Sequence, residues 1–366
     1  MRVFSRFVEV SGLRAEFPVL AEHAYLNAGT DGPLPARAVR AAAQELEREA
    51  AAGRTFAHFE RRSELNGKLR SAYATALGAE EADVALTTCT SEGIALTIGG
   101  LALGRGDEIV TSDEEHPGLL GALGAERELR GVSVREVPLG EVAEAVGPRT
   151  RLVACSHVGW MSGLLAPAEL AELDVPVLLD GAQGVGAVPV DVAALGCDSY
   201  AGAGQKWLCG PDGLGMLYVS PGLRERLAVS RRGYANLDDP DGGLDARVHD
   251  DARRFDTMSL SAEAVACGLA AIELLQAAGW SAVHERARSL AGSLAERLAE
   301  RGRDVAPRDD TTLVSFLSGD PVAERAALAE QGCIVRNIPG RPWLRASVGA
   351  WNDERDLDRL LASLSV

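Results

Sequence analysis

Val177-Leu178-Leu179-Asp180-Gly181-Ala182-Gln183 is an apolar run that ends on an acid and turns, and Ala203-Gly204-Gln205-Lys206-Trp207-Leu208 follows, with Lys206 26 residues beyond Asp180. A short apolar run closed by glycine reads as a buried strand. Similar runs stand upstream at 83–86, 108–111, 133–137 and 152–155, with helical or Gly-rich stretches between them. Such alternation predicts an α/β fold with a mostly parallel central sheet covered by helices on both faces. Sheets of this kind bind ligands beyond the carboxyl ends of their strands, which is where Asp180 falls. The spacing leaves room for one helix and one strand before Lys206, so the two side chains can face one crevice. The next run, 214–219, follows too closely for a crossover helix and is expected to pair antiparallel with its predecessor.

Outward from this block, helical patterns cover 35–51 and 63–76 on one side. On the other, two helical patterns between 262 and 302 are interrupted near Gly279. Short strands at 312–317, 333–335 and 344–347, with helices at 322–331 and 354–364, predict a small C-terminal α+β domain. The expected division is an N-terminal segment, 1–27, packing near the small domain and the active site, a large domain, 28–278, and a small domain, 279–366. The Gly-rich stretch 234–245 reads as a mobile or interface loop.

The 366 residues include 37 Lys+Arg and 53 Asp+Glu, a net charge of −16, and are 46% hydrophobic. That balance predicts a globular chain with a large core and excludes disorder. An acidic surface without a basic patch repels phosphate backbones and anionic lipid, so neither nucleic acid nor membrane is an expected partner. No signal-peptide pattern and no apolar stretch of about 18 residues occur, and a cytoplasmic location is expected. The six cysteines have no Cys-x-x-Cys pair, which fits neither a zinc site nor a disulfide framework, and no metal is expected.

Only two lysines, Lys68 and Lys206, occur in a chain otherwise basic through arginine. Arginine cannot replace lysine where a neutral amine must form an imine. Lys68 lies on a polar helix face, whereas Lys206 stands among small and apolar residues. Thr87-Thr88-Cys89-Thr90-Ser91-Glu92-Gly93 brings hydroxyls and free N–H groups to a helix start, an anion cradle or an ordinary cap. His116, in Glu114-Glu115-His116-Pro117-Gly118, opens at the same sheet edge and could stack on a planar ring, or be a plain loop histidine. His157 is similarly ambiguous. Arg336 and Arg345 are placed on neighbouring strands where they could grip a carboxylate, or be surface charge. Together, lysine, strand-end acid, phosphate cradle, histidine and arginine pair match what pyridoxal 5'-phosphate (PLP) chemistry requires.

The chain resembles the class V aminotransferase family of fold-type I PLP enzymes, which includes cysteine desulfurases and a cystine C-S lyase branch. The resemblance runs nearly end to end and is carried by Asp180-Gly181-Ala182-Gln183, the block from Gln205 to Gly215, Arg345-Ala346-Ser347, Asn27-Ala28-Gly29-Thr30-Asp31-Gly32, Glu115-His116-Pro117-Gly118 and Ser156-His157 with Trp160. It implies that Lys206 holds the cofactor as a Schiff base, Asp180 pairs with the pyridine nitrogen, Gln183 contacts the ring hydroxyl and His116 stacks on the ring. Thr90, Ser91 and Gln205 match cofactor-binding positions near the phosphate, and Ser259 stands where the family uses a threonine from the second subunit of a homodimer. Asn27, Trp160, Arg336 and Arg345 are implied at the substrate, the arginines on its α-carboxylate. Three departures stand out: Gln205 replaces a common histidine, Ala203 a common serine or threonine, and the loop 337–344 has no cysteine to take up sulfur.

These features lead to the expectation of a PLP-dependent C-S lyase that performs β-elimination on cystine, cysteine or another S-substituted cysteine, giving a persulfide or thiol, pyruvate and ammonia. An aminotransferase or epimerase of the same family is the alternative, a cysteine desulfurase is less favoured, and a binding protein on this fold is the non-enzymatic rival.

Overall fold

The computed structural model describes residues 9–364; the expectations for 1–8 lie outside it. In chain order the strands are β1 (Ala24–Tyr25), β2 (Val84–Thr87), β3 (Glu108–Ser112), β4 (Ser133–Val137), β5 (Thr150–Ser156), β6 (Val177–Asp180), β7 (Ser199–Ala203), β8 (Gly215–Val219), β9 (Leu313–Leu317), β10 (Cys333–Ile334), β11 (Arg336–Asn337) and β12 (Trp343–Ser347). The helices are α1 (Ala36–Ala52), α2 (Phe56–Leu77), α3 (Thr90–Gly100), α4 (Pro117–Arg130), α5 (Pro221–Arg224), α6 (Ala262–Ala278), α7 (Trp280–Glu300), α8 (Pro321–Glu330) and α9 (Glu354–Ser363).

A seven-stranded sheet runs β2-β8-β7-β6-β5-β3-β4. All its neighbours are parallel except at β8, which is antiparallel to both β2 and β7, as the short connection behind Lys206 predicts. Alternate residues of each strand feed opposite layers, because successive side chains of a strand point to opposite faces. Leu86, Val110, Val153, Leu179, Tyr200 and Met216 pack with α2 and α6, whereas Ala85, Ile109, Leu152, Leu178, Ala201 and Leu217 pack with α3 and α4.

A three-stranded antiparallel sheet, β11-β12-β9, lies against α7 and α9, where Leu294, Leu298, Phe316, Leu344, Leu357 and Leu360 form a separate core. Helices α6 and α7 meet at 85° around Gly279. Residues preceding α1 reach the C-terminal elements: β1 pairs parallel with β10 in a separate two-stranded sheet, and Arg14 donates to both carboxylate oxygens of Asp356 in α9, at 2.6 and 3.1 Å.

Several local expectations change. Between Asp180 and Lys206 there is β7 but no helix; turns alone return the chain to the sheet. Helix α2 begins at Phe56, before the apolar spacing becomes regular, and residues 234–245 contain two 3-10 turns, Tyr234–Asn236 and Pro240–Asp245. Helix α3 starts at Thr90, which puts Thr90 and Ser91 in its first turn, at the helix start expected from the 87–93 stretch. No single helix among the described residues is long and apolar enough to cross a membrane.

Candidate active site

The carboxyl ends of β2, β3, β5, β6 and β7 open on one edge of the sheet, and a cavity of about 220 Å³ lies there. The ends of β6 and β7 and the turns that follow them supply Asp180, Ala182, Gln183, Ala203, Gln205 and Lys206; the start of α3 supplies Cys89, Thr90 and Ser91; the loop before α4 supplies His116. Arg336 and Arg345 enter from the small sheet, Gly29 and Thr30 from the segment before α1, and Trp160 from the loop after β5. Of the expected site residues, Asn27 and Ser259 do not line the cavity. Asn27 turns its Oδ1 to the Thr30 hydroxyl at 2.8 Å, and Ser259 is exposed at the surface.

Lys206 stands in a tight turn whose backbone is held from two sides. The Gly32 N–H donates to the Gln205 carbonyl at 2.7 Å, and the Cys209 N–H to the Lys206 carbonyl at 3.1 Å. A Cβ on Gly32 would overlap the Lys206 carbonyl oxygen, so this approach requires glycine. Burial lowers the Lys206 amine to about 8; Asp180 and Asp31 act against that shift, and Arg345 and Arg336 with it. Lys68 has the ordinary fate of a helix-surface lysine, an exposed ion pair with Glu64.

Asp180 is buried, and its Oδ1 accepts the Ala182 N–H at 2.9 Å. Burial raises its pKa, while Lys206 and the Ala182 N–H pull it back. Gln183 is fixed by two contacts: its amide donates to the Gly29 carbonyl at 2.7 Å, and its Oε1 accepts the Trp207 indole N–H at 3.0 Å. One amide hydrogen is left for a ligand. His116 caps α4 by accepting the Gly118 N–H on Nδ1 at 3.0 Å, which puts the imidazole proton on Nε2. Its ring meets Trp160 edge-on, centroids 5.1 Å apart. Burial first, then Lys206, Arg336 and Arg345, lower it to about 4, so it stays neutral near pH 7.

Arg336 and Arg345 face each other across β11 and β12. Arg345 is fully buried; its Nη1 donates to the Trp160 carbonyl at 2.5 Å. Nε and Nη2, which form one side of the guanidinium, have no partner. A buried fork without an acceptor is costly unless a ligand completes it, and a carboxylate matches its geometry. Burial lowers Arg345 to about 9, with Arg336 adding to the shift.

No side chain caps the start of α3, whose first N–H groups therefore lack intrahelical acceptors. The Thr90 hydroxyl and the Gln205 Oε1, both of residues that line the cavity, are buried without partners. Such a helix start suits a phosphate. The cavity thus brings together an anion cradle, a carboxylate fork, a lysine and a buried acid, and this set fits PLP.

His157 is buried instead of facing the slot, its Nδ1 3.0 Å from the Tyr200 hydroxyl. Cys333 is a fully buried residue of β10. Cys89 and Thr30 are cavity residues that sequence reasoning did not single out; the glycine at position 29 beside Thr30 was the available signal. An added Cβ there would lie 2.7 Å from Ser347 Oγ and 2.9 Å from Arg345 Nη2.

The sequence pattern of the class V aminotransferases matches residues 24–360. The chain belongs to the class V aminotransferase family. It is 30% identical over 380 residues to isopenicillin N epimerase of Streptomyces clavuligerus, covering 93% of each chain. It is 34% identical over 321 residues, 77% of each chain, to a probable cysteine desulfurase of Pseudomonas aeruginosa. Its fold is similar to that of the cystine C-S lyase C-DES in complex with its reaction product cysteine persulfide, with a TM-score of 0.88 and 28% identity over 94% of this chain and 98% of that one. A C-DES mutant with glycine covalently linked to its PLP cofactor superposes with a TM-score of 0.89 and 28% identity, covering 95% and 98%. This member of the class V family is thus a PLP enzyme of fold-type I, similar to cysteine desulfurases and the C-S lyase.

Proposed function

We propose that the enzyme is a C-S lyase that cleaves cystine, cysteine or another S-substituted cysteine by β-elimination. The observation that carries this reading is the hairpin between Arg336 and Arg345: it closes through an Ile338–Trp343 backbone hydrogen bond of 2.9 Å and contains no cysteine. Five cysteines are buried, and the sixth, Cys89, precedes α3 and belongs to the cavity wall rather than to this hairpin. A mechanism that stores sulfur on a thiol of this hairpin has none to use here. Release of sulfur as a free persulfide or thiol needs none.

In this reading Thr90, Ser91 and the start of α3 hold the cofactor phosphate, with Gln205 beside them. Asp180 uses Oδ2 to hold a proton at the ring nitrogen, and Gln183 gives its remaining N–H to the ring hydroxyl. Arg345 takes the substrate α-carboxylate on its Nε–Nη2 side, and Arg336, bonded to Thr30 at 3.2 Å, supports it. When bound, PLP supplies the electron sink for bond cleavage at the substrate Cα. Lys206 Nζ would anchor the cofactor and, as a free amine, would take the α-proton of the substrate; its lowered pKa suits a base near neutral pH. The neutral His116 can donate a hydrogen bond from Nε2–H to the departing sulfur, which leaves as the thiolate or persulfide anion. Breaking Cα–H and Cβ–S leaves an enamine that water converts to pyruvate and ammonia.

We further propose a homodimer in which Ser259 of each copy serves the other's site. Exposed Phe56, Phe59, Tyr234 and Met258 line a groove of about 930 Å³ next to Ser259 in sequence, a surface suited to a second copy.

Likeness to an epimerase favours a second reading, in which the α-proton leaves and returns without loss of sulfur. Incubation with L-cystine in D2O separates the two: catalytic pyruvate supports the lyase, whereas recovered amino acid with α-deuterium and inverted configuration, without pyruvate, supports the epimerase.

A further inference from the structure

Glu115 does not line the cavity, yet three parts of the site meet at its carboxylate. The side chain is buried, 5% exposed. Oε1 accepts the Ser112 hydroxyl at the end of β3 and the Ser156 N–H at the end of β5, the latter at 2.8 Å; Oε2 accepts the Ser156 hydroxyl at 2.7 Å. Ser156 stands opposite Asp180 in the β5–β6 ladder. His116 is the next residue in the chain. The neighbouring Glu114 holds the other wall: its Oε2 accepts the Ser162 N–H at 3.1 Å and hydroxyl at 2.5 Å, fixing the segment that presents Trp160 to the His116 ring.

We infer that Glu115 is a positioning residue that clamps the His116 loop to the strand end beside Asp180 and, when ionised, reinforces the negative charge that Asp180 presents to the cofactor ring. The inference rests on the proposed contact of Asp180 with the ring nitrogen and is independent of which substrate bond is cut. Here three hydrogen bonds reach two strands, and the same carboxylate is coupled to Asp180. The groups facing it are Ser112 from β3, Cys155 and Ser156 from β5, Asp180 from β6, and Glu114 and His116 from its own loop. The Cys155 thiol is pushed far up by burial and by Glu115 and Asp180, and stays neutral. Burial lifts Glu115 to about 7, against the pull of its serine partners and with a smaller push from Asp180. Its charge therefore grows above neutral pH.

The test is a pH titration of the visible absorption of the purified, PLP-loaded protein, with kcat and KM measured on the same preparations. Glu115→Gln removes the charge but not the size; a nearby cationic acid becomes stronger, so the spectral midpoint should fall by about half a unit. Glu115→Asp keeps the charge but is one methylene too short to span both serines. It should retain the midpoint within ~0.2 unit and lose about tenfold in kcat with KM little changed. If Glu115→Gln does not fold, Ser156→Ala, which removes one donor to the anion, should move the midpoint the same way by a smaller amount. A midpoint unmoved in the variant that folds overturns the electrostatic role, and wild-type kcat in Glu115→Asp overturns the positioning role. Asp180→Asn is the control. An altered spectrum there with none in Glu115→Gln defeats this inference alone, whereas no change in Asp180→Asn defeats the Asp180 contact itself.

Discussion

A buried ammonium gives up its proton early, and at Lys206 burial, aided by Arg345 and Arg336, outweighs the opposing Asp180 and Asp31 and lowers the amine from 10.5 to about 8. The neutral amine needed for capture of the cofactor is therefore half populated near pH 8. The rate at which cofactor-free protein binds PLP should rise with pH through about 8 and then level off, as followed by stopped-flow absorbance. A rise centred above pH 10 would mean a solvated lysine. Arg345 makes a second residue-level prediction. Lysine in its place keeps a charge but loses the side-on fork, so Arg345→Lys should raise substrate KM by about 10- to 100-fold in steady-state assays, the equivalent of one charged hydrogen-bond pair. At this scale the sequence was informative because rarity marked Lys206, and strand-end position marked Asp180. It did not mark Glu115, because its partner Ser156 is 41 residues further along the chain and comes beside Ser112 and Glu115 only when β3 and β5 pair in the sheet.

Elements explain why the slot is rigid. The segment carrying Gly29 and Gly32 lies directly against the Lys206 turn and the Arg345 side chain, and only hydrogen occupies the space a Cβ would need. Gly32→Ala, which collides with backbone rather than with a flexible tip, should destabilise the fold by about 1–3 kcal/mol and weaken cofactor retention, measurable by thermal melts and dialysis. Strand periodicity made the large sheet legible, including the antiparallel β8, whose short connection left no alternative. The missing helix between Asp180 and Lys206 was not legible, because 26 residues can hold a helix or a series of turns, and the Gly- and Pro-containing stretch 181–189 uses turns. The early start of α2 escaped for a related reason: Phe56 and Phe59 lie on its exposed side, where the apolar pattern of a core-facing helix is absent.

For the molecule as a whole, two buried histidines and one buried glutamate oppose each other in their response to acid. His157 and His284 are lowered from 6.5 to about 4, in each case chiefly by burial. Unfolding lets them bind protons sooner, so their contribution to stability is complete above pH 6.5 and is lost as pH falls toward 4. Glu115, raised from 4.5 to about 7, works the other way: its contribution is complete below pH 4.5 and is lost as pH rises through 7. Glu115→Gln removes that second effect. The difference in Tm between variant and wild type should therefore be more unfavourable at pH 5 than at pH 8; an equal difference at both would show that Glu115 does not titrate in this range. The chain before α1 belongs to the same whole-molecule design, since Arg14 joins it to Asp356 in α9 and β1 joins it to β10.

Pyruvate formation from L-cystine by the yellow, PLP-loaded protein, measured beside Lys206→Ala, tests the proposed reaction most directly. The account predicts many turnovers of pyruvate per site for the wild type and a loss of at least about 100-fold in the variant, since nucleophile and base are removed together. A PLP-loaded wild-type protein that consumes no cystine and releases no pyruvate, or an equal rate without Lys206, would contradict it.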